Sequence, residues 1–355
     1  MTVELDFNEN PLGTSMAVAR AVAEAGAELH RYPRGLHQRT EALVAAHFGV
    51  APGSVLLTAG VDEAVDGLLL EAGRGCCLVP GFPGYRHRAE ALRIPLACLP
   101  LDDDWQPPPL GPWTREANLA ILTQPNNPTG NLYSDAWLEG LLERVPAVFV
   151  DETFIDFSDR PSFLEWIGRR PAGRTGELFV FKSFSKIHGV AGLRVGALFG
   201  AEAAVARLRE AQHFYPVDSL SLRFLAAALA DRDFQRRTVE WVRVWRGRFA
   251  AALRRHHSLF DRVEETECNF VLARCAPPEA CPALVRSVLE EGVRVADCAP
   301  LLLPGWIRVS VGGPGTLEAL TAALDRVAAT VVTAGAQAPP SRLGAPERRR
   351  ADVAS

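Results

Sequence analysis

The sequence predicts an α/β protein, with a mostly parallel sheet in a large domain followed by a smaller α+β domain. Two observations carry this. From about residue 54, short and nearly uninterrupted apolar runs alternate with helical stretches, as expected for strands buried on both faces of a sheet. Beyond about residue 201 the chain turns helical and then mixes short strands with helices. A third observation locates the chemistry. Polar clusters follow directly on several apolar runs, and open α/β sheets bind ligands outside the carboxyl ends of their strands.

Taken in order, residues 55–58 form a strand and 62–71 a helix. Segments 76–79, 119–123, 148–150, 178–181 and 195–199 continue the strand series. An arginine-rich amphipathic helix covers 233–257. In the second domain, 269–272, 293–295 and 307–310 read as strands, with helices near 281–291 and 317–332. Residues 1–30 are expected to form an arm contributing to the small domain, 31–232 the large domain and 233–334 the small one. From about 335 the chain is rich in Ala, Pro and Gly, carries Arg348-Arg349-Arg350 and lacks apolar periodicity, so a disordered tail is expected.

Composition excludes several classes. A chain of 355 residues, 48% hydrophobic and with a net charge of −4, suits a soluble protein of about two domains and lacks the basic excess of a nucleic-acid surface. No apolar stretch approaches the roughly 20 residues of a membrane span. The start Met1-Thr2-Val3-Glu4-Leu5-Asp6 shows no secretion signal. Seven cysteines with no C-x-x-C spacing indicate neither a disulfide framework nor a zinc site, so a reducing cytoplasm is expected. A dinucleotide-binding reading fails because no G-x-G-x-x-G follows any strand; Gly189, Gly192 and Gly196 are wrongly spaced.

The most telling segment is Ser183-Phe184-Ser185-Lys186 with its continuation to Arg194. A lysine set between two buried strands loses its proton readily, because desolvation disfavours the charged form. An amine of that kind suits Schiff-base formation with an aldehyde. Ser183, Ser185 and Arg194 supply hydroxyl donors and a guanidinium fork for a phosphate. Lysine beside a phosphate site points to pyridoxal 5′-phosphate.

Four other clusters fit around it. At Thr58-Ala59-Gly60-Val61-Asp62 a strand passes through a glycine into a helix whose free N–H groups favour a phosphate; a plain helix start with Asp62 as N-cap explains the same residues. In Gln124-Pro125-Asn126-Asn127-Pro128-Thr129-Gly130 the prolines and glycine satisfy a turn, while Asn127 is placed to donate to a phenolate oxygen. Asp151 follows three apolar residues, where a carboxylate needs a partner; a pyridinium N–H is one, and a cap on the next helix is the other reading. Arg308, between Ile307 and Val309, is either an outward strand residue or a clamp for a carboxylate or phosphate.

In order and spacing these clusters resemble the fold-type I pyridoxal-phosphate enzymes of the class I/II aminotransferase superfamily, in particular histidinol-phosphate aminotransferases and threonine-phosphate decarboxylases. The likeness runs from Asn8-Glu9-Asn10-Pro11-Leu12-Gly13 through Arg31-Tyr32-Pro33, Gly60 to Glu63, Pro125 to Gly130, Asp151-Glu152 and Ser183 to Arg194, ending at Arg308. It implies a seven-stranded-type sheet and a homodimer with shared active sites, with an amino donor and a 2-oxo acid as substrates. Lys186 would be the Schiff-base lysine and proton shuttle, with Asp151 on the pyridine nitrogen and Asn127 on the ring oxygen. Gly60, Val61, Asp62, Ser183, Ser185 and Arg194 would hold the phosphate, and Tyr32 would reach the phosphate of the neighbouring subunit's cofactor. Phe82 or Tyr85 would cover the ring. Arg308, assisted by Arg274, would hold the substrate's acid, and Asn10 and Asn127 would also face the substrate.

Two features depart from the aminotransferase pattern. Phe154 stands where those enzymes carry a tyrosine on the ring oxygen, and Pro80-Gly81-Phe82 with Tyr85 is decarboxylase-like. Asn8 to Gly13, Gly60 to Glu63, Ser183 to Arg194 and the Arg308 strand resemble the aminotransferases, so transamination is the expected reaction, with threonine-phosphate-type decarboxylation, or another lyase activity, as the alternative.

Overall fold

The computed structural model describes residues 2–24, 30–167 and 176–336. The expected tail, with its Arg348-Arg349-Arg350 cluster, lies outside the described residues from 337 onward. In chain order the elements are β1 (Val3–Leu5), α1 (Met16–Glu24), α2 (Leu36–Phe48), β2 (Val55–Thr58), α3 (Val61–Ala72), β3 (Gly75–Val79), α4 (Pro83–Leu92), β4 (Leu96–Pro100), α5 (Trp113–Glu116), β5 (Leu119–Thr123), α6 (Asp135–Leu142) and β6 (Ala147–Asp151). They continue with β7 (Glu177–Ser183), β8 (Gly196–Phe199), α7 (Glu202–Ala211), α8 (Ser219–Ala230), α9 (Arg232–Arg255), β9 (Phe260–Glu265), β10 (Phe270–Cys275), α10 (Cys281–Glu290), β11 (Val293–Asp297), β12 (Trp306–Ser310) and α11 (Pro314–Ala336).

The large sheet has seven strands in the order β2-β8-β7-β6-β5-β3-β4. All neighbours are parallel except β8, which runs antiparallel to both β2 and β7. The apolar runs are continuous because alternate residues enter different cores. Val148 and Val150 of β6 join the cluster with Leu57, Leu122 and Val180, while Phe149 joins the opposite one with Leu56, Ile121 and Phe181. Both faces are thus buried, and only the strand ends are free for chemistry.

The second sheet has the order β1-β11-β12-β10-β9. Here β1 pairs parallel with β11, so the N-terminus completes the sheet formed by the C-terminal part of the chain. Helix α1, by contrast, packs against α8, and its Val18 is buried in a core of the large sheet. The described part of residues 1–30 thus adds β1 to the second sheet and α1 to the helices of the large one. Strands β1, β4 and β9 escape the sequence pattern. Edge strand β4 is an apolar run, Leu96 to Leu99, but Pro95 and Pro100 bound it and it lies half exposed at the sheet edge. Among the described residues no helix is long and apolar enough to cross a membrane.

Candidate active site

The carboxyl ends of β5, β6 and β7 and the turn from β2 into α3 open onto one cavity of about 600 Å³. The segment between β1 and α1 and strand β12 close its other side, contributing Phe7, Asn8, Glu9 and Arg308.

Lys186 lies three residues beyond β7 and lines this cavity. Its Nζ donates to the carbonyl of Phe7 at 2.7 Å. Burial, together with the nearby Arg308 and Arg194 guanidiniums, pulls its pKa down to about 8 against the opposing charges of Glu9 and Asp151. About a fifth of the amine is therefore neutral near physiological pH, far more than for an ordinary lysine, and the neutral form is the one that attacks a carbonyl.

The chain's other lysine is in the opposite state. Lys182, buried in β7, pairs with Glu152 Oε2 at 2.9 Å. Burial alone would discharge it, but Asp156 and Glu152 outweigh that and hold its pKa above the ordinary lysine value. Glu152 is itself fixed by the Ser162 hydroxyl (2.5 Å) and the Phe163 N–H (2.6 Å). Of the two lysines, Lys186 is the one available as a nucleophile.

Asp151 ends β6 with its carboxylate in the cavity wall, buried, and with no cationic partner among the described residues. Oδ1 accepts from the Thr153 N–H (2.9 Å) and hydroxyl (2.6 Å), and Oδ2 accepts from the Tyr85 hydroxyl (2.7 Å). Burial still pushes its pKa up. An opposing cation would complete it. Tyr85 also touches the Thr123 hydroxyl at 2.8 Å and is buried behind Asp151. The expectation that Tyr85 covers a cofactor ring is thereby corrected. Helix α4 begins at Pro83, which leaves Phe82 at its N-cap on the cavity wall and turns Tyr85 inward.

The phosphate side is built from a helix start without a side-chain cap. Gly60 precedes α3 at φ 78°, ψ −171°, a region essentially reserved for glycine. A Cβ at this position would stand 3.3 Å from Arg194 Nη2, so backbone and guanidinium share one cradle. Val61, Ser183, Ser185 and Arg194 line the cavity there, and Asp62 follows in the first turn of α3. Asp62 is thus inside the helix and not its cap; the Glu63 carboxylate accepts from the Ala59 N–H at 2.6 Å instead.

Arg308, buried on β12, donates through Nη1 to Asn127 Oδ1 (2.6 Å) and through Nη2 to the carbonyl of Asp6. Its buried Nε has no hydrogen-bond partner among the described residues. Because Asn127 Oδ1 is taken, its amide NH₂ is the end left for a ring oxygen. Phe154 lines the cavity, packed edge-on against Phe270 at 5.4 Å, and offers no hydroxyl.

Arg274 and Asn10 lie elsewhere, and Tyr32, expected at a neighbouring subunit's cofactor, stands apart from this chain's own cavity. Arg274 is two residues from the β10 partner of Arg308, but it pairs with Asp261 at 2.7 Å and stands over Trp306, outside the cavity. Asn10 spends its amide on the carbonyls of Lys186 (2.9 Å) and Ile187 (3.1 Å), and its Oδ1 accepts from the Leu12 N–H, so it braces the lysine loop and does not face a substrate. Tyr32 is 72% exposed on another face, stacked on Tyr215 at 5.4 Å. Sequence reasoning missed the Phe7 carbonyl, Thr153, Thr123 and the Tyr85 brace. A backbone carbonyl carries no sequence signal, and the other three are recognisable only once β5, β6 and α4 are placed side by side.

This donor set fits pyridoxal phosphate: an uncapped helix start with a guanidinium and two hydroxyls for a phosphate, a buried carboxylate lacking a cation, and an amine of lowered pKa between them. The fold and site define an α/β transferase of the pyridoxal-phosphate type. Residues 1–327 match the family Aminotransferase class I and II, and the chain belongs to it. It is 33% identical over 336 residues to the histidinol-phosphate aminotransferase of Symbiobacterium thermophilum, covering 91% of this chain and 90% of that protein. Its fold matches the histidinol-phosphate aminotransferase of Sinorhizobium meliloti in complex with pyridoxal-5′-phosphate (TM-score 0.82, 20% identity, 93% of this chain and 91% of that one). It matches the L-threonine-O-3-phosphate decarboxylase of Porphyromonas gingivalis similarly (TM-score 0.79, 19% identity, 92% and 99%).

Proposed function

We propose that this aminotransferase moves an amino group between an amino acid or phosphorylated amine and a 2-oxo acid, with Lys186 as its nucleophile and proton carrier. The observation that carries this is the Lys186 amine, brought to a pKa of about 8 in the same cavity as the uncompensated Asp151 carboxylate. When bound, pyridoxal phosphate supplies a carbonyl that accepts the amino group and a ring that withdraws electrons from the substrate Cα. The chain's own residues do the rest. Asp151, braced by Tyr85 and Thr153, keeps a ring nitrogen protonated by offering it a buried negative charge. Asn127 donates to the ring oxygen, and the α3 N-terminus with Ser183, Ser185 and Arg194 anchors the phosphate. Phe82 covers the ring. Arg308 would hold the substrate's acid, and with that acid fixed Lys186 would take the Cα proton and deliver it to the cofactor's former carbonyl carbon, on the other side of the amino nitrogen.

The donor class follows from relatives that are named histidinol-phosphate aminotransferases. A second copy of the chain is part of this reading. Tyr32, Tyr215, Phe214 (96% exposed) and Met16 (68% exposed) are large apolar groups on the surface, suited to cover by a partner whose cofactor phosphate Tyr32 would reach.

The test is incubation with amino acids and O-phospho amines, with and without 2-oxoglutarate, scoring oxo-acid formation and CO₂ release side by side. Oxo acid that depends on the acceptor supports the proposal; CO₂ release without it refutes transamination in favour of the lyase chemistry that Phe154 allows. Sedimentation of the purified chain as a monomer would refute the shared-site dimer.

A further inference from the structure

Cys77 and Cys98 face each other across two neighbouring strands. Strands β3 and β4 run parallel, and their register pairs Cys77 with Cys98. Successive side chains of a strand point to opposite faces of the sheet. Cys77 belongs to the core shared with α3 and α4, and Leu96, two residues before Cys98, packs against that same core. Cys76 and Leu99 belong to the core on the other face. The Cys77 and Cys98 thiols therefore leave the sheet on one side, close enough to hydrogen-bond each other, while Cys76 points away. Adjacent strands lie about 4.8 Å apart, inside the roughly 4.4–6.8 Å over which a disulfide joins two Cα atoms.

Exposure gives the two thiols different roles. Of the seven cysteines, Cys98 is exposed and the other six are buried. Cys98 lies on β4, the last strand at its end of the seven-stranded sheet. Burial, with the Cys98 thiol beside it, holds the Cys77 thiol well above its usual pKa, so Cys77 does not react first with a reagent from solution. We propose that Cys98 and Cys77 form a reversible thiol–disulfide site for a low-molecular-weight disulfide, with Cys98 as the attacking thiol and Cys77 as the resolving one. The Cys98 thiolate attacks one sulfur of the reagent and expels the other half as a thiolate, which leaves a mixed disulfide on Cys98. Cys77 then gives up its proton and attacks Cys98 Sγ, expelling the second half. The protein loses two protons and two electrons, and the reagent's S–S bond is reduced to two thiols. Placement directly opposite Cys98 lets Cys77 close the bond despite its weak acidity, because the second step is intramolecular. The product lies at an exposed sheet edge, where a disulfide stays open to reduction by added thiol.

The experiment incubates the holoenzyme with oxidised glutathione, blocks the remaining thiols by alkylation and maps the disulfides by peptide mass spectrometry. The expected product is one internal disulfide between Cys77 and Cys98, and dithiothreitol returns both thiols. In Cys77→Ser the reaction should stop at a lasting glutathione adduct on Cys98. In Cys98→Ser the rate of thiol loss should fall at least about tenfold, because every remaining thiol is buried. A glutathione adduct that persists on Cys98 of the wild type overturns the inference, as does a link between the Cys98 residues of two chains or a Cys98 that stays reduced. The wild-type map decides the question by itself, so it stands even where serine in the core at position 77 prevents folding.

Discussion

Tyr85→Phe tests the brace behind the ring-nitrogen partner. The substitution deletes one oxygen and leaves the ring in its packing against Phe82 and Phe149. What goes is the 2.7 Å hydrogen bond to Asp151 Oδ2, one of three donors that hold this buried carboxylate, together with the 2.8 Å contact to the Thr123 hydroxyl. Hydrogen bonds to charged groups contribute about 1.5–3 kcal/mol, and about 1.4 kcal/mol is a factor of ten. Burial already pushes the Asp151 pKa up, and losing a donor to its charged form pushes it further in the same direction. Cofactor affinity is therefore expected to fall about ten- to a hundredfold. The acid limb of the rate profile should move to higher pH, because the carboxylate protonates sooner on acidification. Equilibrium titration of the apoenzyme with pyridoxal phosphate, followed by absorbance, measures the affinity, and kcat/KM of the holoenzyme across pH measures the acid limb. Affinity within about twofold of wild type, with an unmoved acid limb, would refute the brace.

Gly60→Ala places a side chain in a glycine-only region, at a strain of about 1–3 kcal/mol, and sets a Cβ 3.3 Å from Arg194 Nη2; weaker cofactor binding with intact secondary structure by circular dichroism is expected. Arg308→Lys keeps the charge but cannot serve Asn127, the Asp6 carbonyl and a substrate acid together, so kcat/KM for carboxylate-bearing donors should fall by about ten- to a hundredfold in steady-state assays. In the apoenzyme the rate of carbonyl addition at Lys186 should rise with pH to a midpoint near 8, where an ordinary lysine titrates near 10.5. Because this lysine's pKa is lowered on folding, the folded state binds fewer protons between those two values, and stability rises with pH across that window. Lys186→Met should remove that slope in chemical denaturation series.

Much of this was legible beforehand where a residue's role follows from its place along a strand. The runs before Thr123, Asp151 and Ser183 read as buried strands because both faces are covered, and the polar residue ending each run had to lie at the sheet's edge. Roles set by neighbours from distant segments were not legible. Phe82 and Tyr85 differ by three positions, and only the start of α4 at Pro83 separates a cavity wall from a brace. Arg274 and Arg308 look alike as strand arginines until Asp261 on β9 captures one of them. Glu152 and Lys182 are unremarkable in sequence, yet they form a buried pair that leaves Lys186 as the reactive amine. The departure at Phe154 was visible, and it now sits against Phe270 in a small apolar cluster with Ile187, Val242 and Cys268.

The chain contains just two lysines, Lys182 and Lys186, four residues apart. Borohydride reduction of the holoenzyme followed by peptide mapping therefore reads the central claim directly. The predicted result is one stable pyridoxyl adduct on Lys186, with Lys182 unmodified. An adduct on Lys182, or none on either lysine, would contradict it.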